Sequence, residues 1–119
     1  MTTDFVERRK ELKAEFRTLG TAEAATMAGF SQLHRAAMTE GDLTAAVKEL
    51  MSLAIAICVH CEGCIAFHVH DALRAGATRP QVEEAIGVAI AMGGGPAVVY
   101  GAEAHTALAQ FEAASARST

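Results

Sequence analysis

Positions 50–59 are apolar at every residue except Ser52, and no other stretch limits the possible folds so tightly. The run has none of the alternation of a half-exposed strand. Read with the residues before it, it places Val47, Leu50, Met51, Ala54, Ile55 and Cys58 at the i, i+3, i+4, i+7 spacing of a helix. A helix that is apolar on nearly every side belongs in a core or against another subunit. Thr44 is a suitable N-cap, so the helix is expected over 45–58. A second apolar stretch, 85–100, is interrupted by Gly93-Gly94-Gly95-Pro96. Neither stretch reaches the ~20 residues of a membrane span, so no membrane partner is expected. Hydrophobic residues make up 51% of the 119, with 26 alanines and no tryptophan. One domain over residues 1–119 is expected, and so small a chain cannot cover that much apolar surface alone. A closed homo-oligomer is therefore the expectation, with a monomer of tightly packed Ala-rich helices as the alternative.

The remaining punctuation gives an all-α fold of five or six helices. Residues 4–18 carry Phe5, Val6, Leu12 and Phe16 in an otherwise charged segment, an amphipathic helix ended by Gly20. Thr21 caps a second helix running to about Met38, with Ala24, Met27, Ala28, Leu33 and Ala37 on its apolar face. The chain relaxes near 59–61, because Gly63 disfavours an unbroken helix. A fourth helix follows over 62–75, with Gly76 just past its end. Thr78-Arg79-Pro80-Gln81 has the form of a capping box with Pro in the first turn, opening a helix over 79–92. A last helix covers 97–115, with Val98, Val99, Ala102 and Leu108 inward.

The formal net charge is −4 and there is no basic run, so nucleic acid is not an expected partner. Met1-Thr2-Thr3-Asp4 has no positively charged leader, and the cytoplasm is the expected location. Three cysteines in such a chain point to catalytic or metal-binding thiols rather than a disulfide scaffold.

Those thiols cluster. Cys61 and Cys64 stand three residues apart at a helix start and share a face, close enough for a local disulfide. Exposed N–H groups and the helix dipole favour a thiolate there, and the thiolate is the attacking species. The dipole by itself favours Cys61 as the more acidic thiol. His68 follows Cys64 by one helical turn, near enough to take its proton or stabilise its thiolate. His70 reads as a surface residue, His34 and His105 as structural or interfacial, and the direction of His60 is open. Zinc held by Cys58, Cys61, Cys64 and His68 is disfavoured, because ligands within three helical turns cannot readily wrap a tetrahedral ion; Cys58 reads as core. Glu49 lies twelve residues before Cys61, about 18 Å away on one straight helix. Contact between them requires a kink, an antiparallel return or a neighbouring subunit.

Lys48-Glu49-Leu50, followed by Cys61-Glu62-Gly63-Cys64-Ile65-Ala66-Phe67-His68, resembles the signature of the AhpD-like alkylhydroperoxidases of the carboxymuconolactone decarboxylase family. Residues 72–78 and Met92-Gly93-Gly94-Gly95-Pro96-Ala97 are similar as well, so the resemblance covers about residues 40–110. It implies an all-α fold assembled as trimers or hexamers and an antioxidant peroxidase working through a cysteine pair. It implies Cys64 as the peroxidatic thiol and Cys61 as the resolving one. His68 and Glu49 would then form a proton relay. It also implies reduction by a dithiol protein, lipoyl or thioredoxin-like, with no metal, flavin or haem. One departure stands out: some members carry a histidine immediately before the second cysteine, where this chain has Gly63. The competing readings are a thiol–disulfide oxidoreductase that does not use peroxide, a carboxymuconolactone decarboxylase-type lyase, and a non-enzymatic oligomeric or metal-binding module. A lyase needs a base and a carboxylate pocket rather than paired thiols.

Overall fold

The computed structural model describes residues 2–117. It contains six helices: α1 (Phe5–Ala22), α2 (Ala24–Met38), α3 (Ala45–Cys58), α4 (Glu62–Arg74), α5 (Arg79–Gly93) and α6 (Gly95–Arg117). No strand occurs among the described residues, and the fold is all-α. Four helix starts are closed by side chains at the expected kind of position. Asp4 Oδ1 accepts from the Glu7 amide at 3.1 Å and Thr44 Oγ1 from the Val47 amide at 3.1 Å. Cys61 Sγ accepts from the Cys64 amide at 3.2 Å. Thr78 and Gln81 form the reciprocal box, Thr78 Oγ1 accepting at 3.3 Å and Gln81 Oε1 at 2.9 Å. An oxygen cap of this kind contributes about 1 kcal/mol.

Two boundaries differ from expectation. Helix α1 runs through Gly20 and Thr21 to Ala22. Thr21 is not a cap: its hydroxyl donates back to the Arg17 carbonyl at 3.3 Å. A single glycine costs a helix only about 1 kcal/mol, too little to end α1 without a backbone demand for positive φ. Such a demand exists at Gly94 (φ 69°), the one residue between α5 and α6, so the Gly93-Gly94-Gly95-Pro96 stop is tighter than its composition suggests.

Helices α3 and α4, and then α5 and α6, pack together around Leu53, Ile57, Ile65, Val69, Val82 and Leu108, all fully buried. Phe5 brings the start of α1 into the same core. Gln110 of α6 holds that start, accepting from the Phe5 amide at 2.8 Å and donating to the Thr3 carbonyl at 2.9 Å. Arg79 joins α5 to α6 through Glu112 Oε1 at 2.6 Å, a hydrogen bond that raises the guanidinium pKa. Beside it the His105 hydrogen bond holds Glu83 below the usual carboxylate range. Leu53→Ala removes a large side chain from the centre of this packing. It should cost about 2–5 kcal/mol, seen as a lower urea midpoint with an unchanged slope.

The inward faces are not the ones periodicity favoured. Helix α3 buries Glu49, Leu53, Ala56 and Ile57. Met51, Ile55 and Val59 are 50%, 61% and 64% exposed. In α6, Leu108 is buried as expected, but Val98, Val99 and Ala102 are exposed and Ala97, Gly101 and Ala104 take the inner positions. Helix α2 buries no residue, and Leu33 on its expected apolar face is 64% exposed. The cause is common to α3 and α6. Where a helix is apolar nearly all round, its sequence does not say which side meets its own core.

Candidate active site

The junction between α3 and α4 builds the site. His60 adopts a left-handed conformation (φ 60°), and the Cys61 amide donates to the Ala56 carbonyl at 3.0 Å. The chain therefore doubles back, and α4 runs against α3. Of the three routes that could bring Glu49 to the cysteine-bearing helix, this is the antiparallel return. Glu49, the buried carboxylate of α3, meets His68 of α4 with Oε1 2.7 Å from Nδ1. Both side chains are largely shielded from solvent. A short hydrogen bond to a carboxylate fixes the orientation and tautomer of an imidazole.

Cys61 and Cys64 are joined as a disulfide, with their Cα atoms 5.2 Å apart. Cys61 is the N-cap of α4 and Cys64 lies in its first turn, so both sulfurs sit where the helix presents unpaired amides. The pair lies in a cleft of about 770 Å³ that also contains His68. Its walls are Leu12 and Phe16 of α1, Phe30 and His34 of α2, and Phe67 of α4. Phe16 and Phe67 stack with ring centroids 5.5 Å apart. An apolar wall around a thiol excludes water and favours an organic substrate over a strongly hydrated one.

Gly63 has a steric reason. A Cβ there would come within 2.8 Å of Leu12 Cδ1. The tip of the Leu12 side chain of α1 occupies that space, so a side chain at position 63 would require Leu12 to shift. His60 does not line the cleft; its ring is parallel to Tyr100 at 4.8 Å.

Three other histidine and cysteine expectations can be placed. His70 is half-buried rather than a surface residue, its Nδ1 2.8 Å from Asp71 Oδ1 and its ring edge-on to Phe111. His34, expected to be structural or interfacial, lines the cleft with its ring 6.3 Å from that of His68. Cys58 packs against the core, and its thiol donates to the Ala89 carbonyl of α5 at 3.5 Å. It does so without Met51 and Ile55, which face outward. Across α4, burial pushes the Glu103 carboxyl up, and the nearby Glu62 adds to the effect.

Asp71 and His34 were not singled out by sequence. Asp71 follows His68 by three residues on the same face of α4, a spacing that was available to be read. Nothing in sequence pointed to His34, because the approach of α2 to α4 depends on the one-residue turn at Glu23.

An all-α chain with a redox-capable cysteine pair at a helix start, backed by a buried Glu–His pair, is the class that fold and site define. Residues 24–107 match the family model described as the carboxymuconolactone decarboxylase family. The chain belongs to that family. An uncharacterized protein from Cupriavidus necator is 44% identical over 116 residues, 98% of this chain and 100% of its own. Among solved structures, a carboxymuconolactone decarboxylase family protein from Legionella pneumophila is 36% identical with a TM-score of 0.87, over 90% of this chain and 96% of its own. A family member from Thermotoga maritima is 25% identical with a TM-score of 0.81, over 98% of this chain and 96% of its own. For the latter a part in the antioxidative response has been suggested. No helix among the described residues is long and apolar enough to cross a membrane.

Proposed function

We propose that the chain is a thiol-dependent hydroperoxide reductase. Cys64 thiolate attacks the terminal oxygen of ROOH, the O–O bond breaks, and Cys64 becomes a sulfenic acid while RO⁻ takes a proton and leaves as ROH. Cys61 thiol condenses with the sulfenic acid, forming the disulfide and releasing water. A dithiol protein, lipoyl or thioredoxin-like, then exchanges with the disulfide, restoring two thiols and leaving as its own disulfide. His68 serves as the base for Cys64, and Glu49 is the positioning residue that holds His68.

The observation that carries this reading is the placement of a bondable cysteine pair in one cleft with a histidine held by a buried carboxylate. The suggested antioxidative role of the Thermotoga maritima relative supports it. The working form is taken to be a cytoplasmic homo-oligomer, trimer or hexamer. The exposed Met51, Ile55, Val59 and Met92 support the oligomer, as apolar side chains that a partner copy would cover.

Stopped-flow mixing of the reduced chain with hydrogen peroxide and with cumene hydroperoxide tests the reading, with free thiols counted before and after. Rapid loss of two of the three thiols is expected, faster with the organic peroxide. Unreactive thiols with both peroxides, together with ready exchange with a small disulfide, would replace the peroxidase with a thiol–disulfide oxidoreductase.

A further inference from the structure

Asp71 takes no part in the proposed cycle, yet it lies beside the residues that do. His68 and Asp71 are three apart on α4 and share the face that meets α3. Glu49 reaches them from α3. One donor atom from each of the three lies within 4.8 Å of the others. Two carboxylates thus converge on one imidazole in a partly dry place, where like charges repel strongly. Arg9 approaches Asp71 with Nη2 at the limit of reach, 4.0 Å from Oδ1, its guanidinium lying over the Phe67 ring at 5.4 Å, while Arg8 and Arg35 line the same cleft without an ion pair to Asp71 or Glu49 among the described residues. His70 also uses Oδ1, at 2.8 Å. Among the described residues, the ion-pair partner of Glu49 is His68.

We propose that Glu49, His68 and Asp71 form a divalent-cation site, of the zinc or manganese class, whose occupation switches the cysteine pair off. The proposal rests on the peroxidase reading for its consequence but not for the binding itself. A glutamate from one helix with an i, i+3 histidine–carboxylate pair on its neighbour is a way in which helix bundles hold metals. One imidazole and two carboxylates suit zinc and manganese, and the two negative charges match a dication. Ligands at about 2.0–2.2 Å from zinc lie roughly 3–4 Å from one another, so side-chain shifts of about an ångström close the set. His68 and Asp71 both line the cleft, which leaves room for water or another ligand on the open side. A dication between Glu49 and His68 would break the Nδ1–Oε1 hydrogen bond that joins them, so His68 would lose the carboxylate that supports it as the base for Cys64.

Zinc binding to the disulfide-closed protein, followed by calorimetry, is the test, because reduced Cys61 and Cys64 would themselves take zinc. One ion per chain is expected, with affinity at least roughly tenfold weaker in both Asp71→Asn and His68→Gln. Binding in a Cys58→Ser background should be unchanged. With the reduced protein, manganese is the probe, since it disfavours thiolates. It should slow peroxide-driven oxidation of the wild type and have little effect on Asp71→Asn, each rate being compared with the same protein's own metal-free rate. Absence of zinc binding at millimolar concentration, or binding indifferent to both substitutions, would overturn the site. Because the binding experiment uses neither peroxide nor free Cys64, failure of the peroxidase reading would leave its result untouched, and the reverse also holds.

Discussion

Cys64→Ser is expected to slow peroxide-driven oxidation by three orders of magnitude or more, roughly the loss seen when a nucleophile is removed from a working site. A serine hydroxyl beside His68 stays protonated at neutral pH and has little affinity for the electrophilic oxygen of a peroxide. Cys61→Ser should behave differently. The first oxidation keeps nearly its wild-type rate, and the cycle then stops at a Cys64 sulfenic acid that has no neighbour to condense with. Mass spectrometry of that variant after one equivalent of peroxide should show a single added oxygen, trapped by a sulfenic-acid reagent at position 64. The two roles are not fixed by geometry alone. Cys61 is the N-cap and Cys64 is one turn from His68, so helix dipole and base favour different sulfurs. If the pattern is reversed, with Cys61→Ser the dead enzyme and Cys64→Ser carrying the trapped oxygen, amide donation outweighs the base and the assignment must be exchanged.

The parts of the fold that could be read from sequence were those with local causes. Thr44, Thr78 and Gln81 cap their helices because the groups they satisfy lie within the same turn. Gly76 follows α4 with φ 101°, a conformation that glycine adopts without strain. The Cys61–Cys64 bond is equally local. What could not be read depended on partners far away in sequence. Glu49 and His68 are nineteen residues apart; the family resemblance put them in one relay, but residue spacing did not, because their contact depends on a left-handed His60 that no pattern announced. The inner faces of α3 and α6 were hidden by their own composition: when valine, methionine and alanine occupy every side, periodicity offers several faces and tertiary packing selects one. Helix α2, which carries Thr26, Ser31, Gln32, His34 and Arg35, buries no residue at all. Its apolar Phe30 and Leu33 are spent on a cleft wall and on solvent rather than on the core.

Glu49→Gln is expected to lower the rate of peroxide-driven thiol oxidation by about 10²-fold, at the lower edge of what a general base contributes, because His68 itself remains. The carboxamide has nearly the same shape as the carboxylate and still accepts a hydrogen bond from Nδ1, so the tie between α3 and α4 is preserved. What it lacks is the negative charge that favours the imidazolium formed when His68 takes the Cys64 proton. Stability should move the other way or not at all. Holding a carboxylate at 8% exposure carries a desolvation cost that a neutral amide largely avoids. A melting temperature equal to or above wild type, together with a hundredfold slower reaction, would mark Glu49 as a residue kept for chemistry at the expense of the fold. A rate within about twofold of wild type, with a lower melting temperature, would mark it instead as a buried hydrogen-bond acceptor that merely ties α3 to α4. His68 would then have to work without an electrostatic partner, and the relay would shrink to a single imidazole.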